Sequence, residues 1–324
     1  MGCAITKVIS DPLQRKKMMA DGLGASPLIP DPSILAEKYV NEIRQDVSSM
    51  GARLNVIGLI ASSDKPSLVY AMATKQKFDK VGINYDLRQI ERLQLEDAIS
   101  AANRDTDIHG IFIYFPVFNN QHDDYLRNQV DYRKDIEAGS TYWTKKISAN
   151  DRMAVSRDQS RKAVLPCTSL AIVKILTELG IYTDDQERPM DGKIISIFNR
   201  SEVIGRPLAI MMSNDGAKVH SFDVNGPLEF VDALPSESNI TRERALMESD
   251  IVITGVPSSS FRKISCGEIR AGTICLNFSS TPNFENDIGK MADIYIPRIG
   301  PMTVAMCMRN TLRLFTNFHQ VNPA

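Results

Sequence analysis

The strongest constraint on this chain is an alternation, repeated in two blocks, of short apolar runs rich in β-formers with segments of helical spacing. The first block holds "LNVIGLIAS" (54–62), "INYDLRQI" (83–90) and "GIFIYFPV" (110–117), with helix-like segments around 67–80 and 93–103 between them. The second holds "KIISIFN" (193–199), "AKVHSF" (217–222), "DIVITGV" (250–256), "TICLNF" (273–278) and "DIYIPR" (293–298). Strands that alternate with helices run parallel and are covered on both faces. The expected fold class is therefore α/β with two domains, the second a doubly wound, Rossmann-type sheet.

Three further segments frame the alternation. "ILAEKYVNEIRQDVSSMG" has helical apolar spacing and stops at Gly51, and "LPCTSLAIVKILTELG" reads as a helix capped by Thr168 that ends near Gly180. Residues 118–163 are polar and charge-rich without sustained periodicity, so a connecting loop and a domain boundary are expected there. The third, "GPMTVAMCMRNTLRLFTNF", is apolar at helical spacing after a Gly-Pro break. One helix cannot make a domain, so it must pack on an element already described.

A length of 324 residues with 43% hydrophobic content can bury two cores. Lys plus Arg number 38 against 39 Asp plus Glu, so no basic field draws nucleic acid or an anionic membrane, and small-molecule partners are expected. The five cysteines are odd in number and lack CxxC pairing, and the four histidines are scattered, so neither disulfides nor a metal is expected. A reducing, cytoplasmic compartment fits. "MGCAIT" satisfies an N-terminal acylation pattern, with Cys3 available for a second lipid; the competing expectation is a loosely ordered leader over residues 1–32.

Residues 197–224, "IFNRSEVIGRPLAIMMSNDGAKVHSFDV", have the strand–helix–strand order of a dinucleotide site but no G-x-G-x-x-G. Arg200 and Ser201 offer a cation and a hydroxyl to phosphates, and Gly205 permits close backbone approach where the helix starts. Asp223, followed by Val224, ends the second strand. An acid there accepts hydrogen bonds from ribose hydroxyls and repels a 2′-phosphate, which favours NAD over NADP. Taken alone, the same residues also suit an ordinary strand-to-helix turn with a solvated acid.

"LPCTSLAIVKIL", "NRSEVIGRPLA", "ITGVP" and "GPMTVAM", in this order, resemble the methylenetetrahydrofolate dehydrogenase/cyclohydrolase family, over residues 34–318. "YFPVF" and "DVN" are most similar to its monofunctional, NAD-dependent fungal branch. The resemblance implies hydride transfer from 5,10-methylenetetrahydrofolate to NAD by a homodimer. It also implies a folate-binding domain from 33–165 and 301–324, which houses the orphan helix, and an NAD-binding domain from 166–300.

Bifunctional members of the family carry a tyrosine followed four positions later by a catalytic lysine. In "YAMATKQK" these positions are Tyr70 and Thr74, on one helix face. Tyr114 replaces a glutamine that assists that lysine; in "KDIEAG", Glu137 stands where the family has an acid near the pterin, and Ala138 replaces its glycine. Hydrolysis of the methenyl product needs proton transfers that a lysine serves, whereas hydride removal does not. The resemblance thus implies a dehydrogenase without cyclohydrolase activity, with Tyr70, Thr74, Tyr114 and Glu137 at the substrate.

It further places Gly300, Pro301 and Thr303 facing a domain cleft, and Gly255, Val256, Pro257 and Asn277 on the nicotinamide side. "PRIG" (297–300) departs from the family's "PGGVG", which alters that cleft wall. Cys167, just before a helix N-terminus whose dipole lowers a thiol pKa, is a further catalytic candidate, with simple packing as the competing reading. Three alternatives remain: a bifunctional dehydrogenase/cyclohydrolase, an NAD-binding regulatory protein without turnover, and a different dehydrogenase of similar plan.

Overall fold

The structure, a computed structural model, describes residues 28–183 and 187–320. The chain divides into two compact units. One comprises residues 36–167 with the chain from Thr303 onward, the other residues 168–302 with the chain up to Leu35.

In the first unit, α1 (Pro32–Met50), β1 (Asn55–Ile60), α2 (Lys65–Lys80), β2 (Asn84–Gln89), α3 (Leu95–Arg104) and β3 (Gly110–Ile113) alternate as the apolar pattern demands. The three strands are parallel in the order β2-β1-β3. Central β1 is buried from Val56 to Ile60 and packs Ile57 and Leu59 with Leu95, Ile99 and Ile113. A Cβ at Gly58 would collide with the Tyr85 ring, so this glycine lets the edge strand lay a tyrosine across the centre of the sheet.

Residues 118–163 are not a plain loop. They contain α4 (Gln121–Gln129) and α5 (Thr141–Ser148). α4 buries only Asp123 and Leu126, too little for an apolar stripe, and is defined instead by polar contacts. Asn120 caps it by accepting from the His122 N–H at 2.8 Å, and the Asp123 carboxylate accepts from the N–H groups of Val117, Phe118 and Asn119. In α5, Trp143 and Ile147 share the buried face, and the indole N–H donates to the Tyr132 carbonyl at 3.0 Å. The terminal helix, α9 (Gly300–Leu314), enters this unit from Thr303 onward, where Asn310 donates to the carbonyls of Ile136 and Leu165, each at 2.9 Å.

The second unit contains α6 (Cys167–Glu178), β4 (Ile194–Phe198), α7 (Gly205–Asn214), β5 (Lys218–Asp223), β6 (Gly226–Val231), β7 (Leu234–Glu237), α8 (Arg242–Glu248), β8 (Ile251–Thr254), β9 (Thr273–Asn277) and β10 (Ala292–Ile296). Its sheet runs β10-β9-β8-β4-β5-β6-β7, parallel through β5. The order reverses at β4, between β5 and β8, which is the switch point where open α/β sheets bind ligands.

The sequence reading misses the antiparallel β5-β6-β7 meander, although Asn225-Gly226 marks its first turn; the second turn carries no Asn-Gly or Asp-Gly signal. Asp232 and Ala233 adopt the required positive φ angles, 47° and 65°. Thr168 is not a cap, since α6 already starts at Cys167. Within the expected leader, Leu28 bridges to Ile294 and exchanges backbone hydrogen bonds with Asp293 and Tyr295, and Pro32 opens α1, so this part is ordered. The "MGCAIT" pattern lies outside the described residues. Among those described, no helix is long and apolar enough to cross a membrane.

Candidate active site

At the switch point, the C-terminal ends of β4, β5 and β8 carry Asn199, Asp223 and Gly255. Asn199, at φ 150°, donates through Nδ2 to the Gly255 carbonyl at 2.7 Å and accepts from the Ser201 N–H at 2.8 Å. A Cβ at Gly205 would strike the Asn199 carbonyl, so glycine is what lets α7 start so close to the end of β4. The first turn of α7 is largely satisfied internally. The Arg206 N–H donates to the Ser201 carbonyl at 3.0 Å, Pro207 has no N–H, and the Gly205 N–H is only weakly held by Ser201 Oγ at 3.5 Å. Anion attraction here comes down to that N–H, the serine hydroxyl and the helix dipole.

Arg200 does not project toward a phosphate position at the start of α7. Its buried guanidinium pairs with Asp223 at 2.6 Å and donates to the carbonyls of Ser221 and Gly226 at 2.8 and 3.0 Å. The expected phosphate cation is instead the partner of the expected ribose acid. Burial explains the choice, because a guanidinium withdrawn from water needs a carboxylate and carbonyls around it. Asp223 also accepts from the Asn225 N–H at 2.7 Å, which fixes the turn, and Val224 at its tip is fully exposed.

Two other expectations change in kind. Gly255 is needed for packing in its own right, because a Cβ there would enter the Phe278 ring. Asn277 is buried and saturated. It donates to the carbonyls of Ser279, Thr281 and Pro297, and its oxygen accepts from Thr254 Oγ1 at 3.2 Å and the Ser279 N–H at 3.3 Å, which leaves no free capacity for a cofactor.

The sequence reading missed Asn283. It is buried and brackets the Val256 backbone, accepting its N–H at 2.8 Å and donating to its carbonyl at 3.0 Å. Gly255 and Val256 are therefore held by asparagines on neighbouring segments, Asn199 and Asn283, just before Pro257. Asn283 follows no motif spacing that could have flagged it.

In the first unit, Tyr70 on α2 is 45% exposed and meets the Tyr114 ring edge-on, with centroids 6.1 Å apart. Tyr114 is turned inward. Its hydroxyl lies 2.8 Å from that of Tyr85 and 3.4 Å from the Ala71 carbonyl, and burial pushes its pKa up to about 12. Thr74 is fully buried and returns its hydroxyl proton to the Tyr70 carbonyl at 3.0 Å. Both replacements thus fill space and satisfy each other's surroundings, and neither presents a polar group outward. Lys75, the lysine adjoining Thr74, donates to the Tyr85 carbonyl at 2.6 Å and pairs with Asp79 at 3.0 Å.

Glu137 is partly buried, and desolvation reinforced by the nearby Asp135 carboxyl raises its pKa to about 8. Arg127 opposes this shift. Its guanidinium stacks over Phe115 at 4.4 Å and pairs with Asp124 at 2.6 Å, and its stem occupies the space that a Cβ on Gly139 would take. Near neutral pH, Glu137 is mostly an uncharged carboxyl that can both donate and accept.

Cys167 contradicts the expectation of a lowered pKa. Its thiol is buried, donates to the Ile136 carbonyl at 3.1 Å and accepts from Asn310 at 3.3 Å; desolvation holds it well above its ordinary value. It is a protonated packing thiol. Gly300, Pro301 and Thr303 form the first turn of α9, with Gly300 exposed and the other two half-buried.

A switch-point acid on a parallel sheet, joined to a unit with a tyrosine–carboxyl cluster, defines a class of dinucleotide-dependent α/β enzymes. Within that class, residues 31–137 match the family described as tetrahydrofolate dehydrogenase/cyclohydrolase, catalytic domain. Over 295 residues, 89% of this chain and 94% of the relative, the chain is 40% identical to a methylenetetrahydrofolate dehydrogenase [NAD(+)] of Dictyostelium discoideum. It is 38% identical to the enzyme of that name from Saccharomyces cerevisiae, over 88% of this chain and 95% of the relative. The solved structure of the NAD-dependent 5,10-methylenetetrahydrofolate dehydrogenase of Saccharomyces cerevisiae superposes with a TM-score of 0.82 at 35% identity, covering 90% of this chain and 98% of that one. The chain belongs to the tetrahydrofolate dehydrogenase/cyclohydrolase family.

Proposed function

We infer that this chain oxidises 5,10-methylenetetrahydrofolate to 5,10-methenyltetrahydrofolate with NAD and does not hydrolyse the product. The observation that carries the second half is Thr74. It fills the position of the family's lysine, fully buried and satisfied within its own helix, while Lys75 is committed to Tyr85 and Asp79. No lysine is presented there for proton transfer, so water activation at the methenyl bridge lacks its base.

NAD, when bound, supplies the acceptor for the hydride that leaves the carbon between N5 and N10. The chain's part is binding and electrostatics. Asp223 receives the ribose hydroxyls while keeping Arg200 occupied, so that a 2′-phosphate would meet a carboxylate without a free cation. Ser201 and the Gly205 N–H take the phosphates, and Gly255, Val256 and Pro257 border the nicotinamide end, with Gly255 held by Asn199 and Val256 by Asn283. On this reading the unit built on the seven-stranded sheet binds NAD and the other binds folate.

In the folate unit, the exposed face of Tyr70 packs on the pterin, and Glu137 hydrogen-bonds its N–H edge. Thr303, in the first turn of α9, belongs to the same unit as these residues. Hydride removal leaves a cation spread over two substrate nitrogens, and developing positive charge favours ionisation of Glu137. The reading also makes the enzyme a cytoplasmic homodimer, in keeping with its free cysteines; sedimentation as a monomer would remove the second element.

A spectrophotometric assay with NAD and NADP in parallel tests the whole. Methenyltetrahydrofolate should accumulate with NAD and decay at its spontaneous rate. Enzymatic loss of added methenyltetrahydrofolate, or binding of NAD without its reduction, would overturn the reading.

A further inference from the structure

The folate unit contains a cavity of about 490 Å³, lined by none of the residues assigned above. One wall is α1, which presents Glu42 and Asp46. The other is α9, which presents Arg309 and Arg313, with Lys162 beside them. Each pair is spaced i,i+4, so its two members share a helix face. Arg309 projects about 120° around the axis of α9 from Thr303, and about 9 Å further along. The cavity is thus separate from the α9 face of Thr303 and Cys307.

The charges on the two walls are not spent on each other. Among the described residues, Arg309 has no hydrogen bond or ion pair, and Arg313 donates only to the Ala163 carbonyl, at 3.1 Å. Glu42 and Asp46 likewise have no cation within ion-pair distance. The guanidinium groups are half-buried and the carboxylates exposed, so the inner wall is cationic and the rim acidic. Burial, and then repulsion from Arg309, lower Arg313 to about 10. Leu312 and Ile43 add apolar surface between the walls.

We propose that this cavity binds a small zwitterion of the α-amino-acid class, with its carboxylate on Arg309 and Arg313 and its ammonium on Glu42 and Asp46. A guanidinium pair suits a carboxylate by parallel hydrogen bonds. A bare anion would leave the acidic rim uncompensated, and a bare amine would face the arginines; a ligand with both charges and an apolar body complements every wall.

The test is calorimetric titration of the full-length protein with L-leucine as the probe, alongside isocaproate, which lacks the amine, and isoamylamine, which lacks the carboxylate. L-Leucine should bind, and each analogue should bind at least about tenfold more weakly. Arg309→Gln and Asp46→Asn should each abolish leucine binding while leaving basal dehydrogenase activity and thermal stability unchanged. Absence of heat with leucine, equal binding of either analogue, or undiminished binding to either variant would overturn the proposal. Because neither variant touches the folate or NAD residues, failure here would leave the dehydrogenase reading intact.

Discussion

At the switch point of the seven-stranded sheet, Asn199, Asn277 and Asn283 spend their amides on backbone groups, and Arg200 spends its charge on Asp223. In the tyrosine cluster of the other unit, Tyr85, Tyr114 and Cys167 are buried with one or two partners each, and Glu137 beside them is raised toward neutrality. The first region holds its shape by saturating polar groups, the second by desolvating them. Variants in the first should therefore act through geometry and charge balance, and variants in the second through protonation.

The largest effect should come from breaking saturation. Asn283→Ala leaves the Val256 N–H and carbonyl without their side-chain partner in a buried site, and should cost about 2–3 kcal/mol of stability. Chemical denaturation measures this, and a loss confined to NAD affinity at full stability would contradict the bracketing role.

On the desolvated side, Glu137→Gln should lower kcat/KM for the folate by about 10- to 100-fold, the value of a hydrogen bond to an ionisable partner. The same variant tests pH dependence. With a native pKa of about 8, above its ordinary 4.5, Glu137 holds its proton more tightly folded than unfolded. Its contribution is full below the unfolded value and is lost as pH rises through about 8. Melting temperature should fall less between these limits in Glu137→Gln than in the unaltered protein.

Asp223→Ser releases Arg200 as an unpaired cation next to the ribose site. The ratio of NADP to NAD turnover should rise about tenfold. An unchanged ratio would show that the Arg200–Asp223 pair does not set cofactor choice.

The smallest effect expected is at Ala138, which holds φ at 54° where a side chain is strained. Ala138→Gly should change stability by no more than about 1 kcal/mol, since relief of strain is offset by a freer unfolded chain.

Much of this was legible in the sequence. The parallel strands of both sheets lie where the sequence reading puts them; β1, β3, β4 and β8, buried almost end to end, are apolar along most of their length, while the edge strand β2 fully buries only Tyr85. Asp223 was found at a strand end by position alone, and Thr74 by its spacing from Tyr70. The polar helix α4 and the β6–β7 hairpin escaped because neither carries the usual signal: α4 buries one apolar side chain, and the hairpin turns through Asp232 and Ala233.

The sequence by itself determined the alternation, the glycine at the head of α7, the acid that ends β5 and the missing lysine, because each is a matter of residue type at a fixed local spacing. Only the tertiary structure decided where side chains spend their charges and protons. Arg200 turns to Asp223, Cys167 keeps its proton, Tyr114 points inward to Tyr85, and Asn283 reaches Val256 across 27 residues of chain. Those choices depend on desolvation and on partners distant in sequence, which local spacing cannot express.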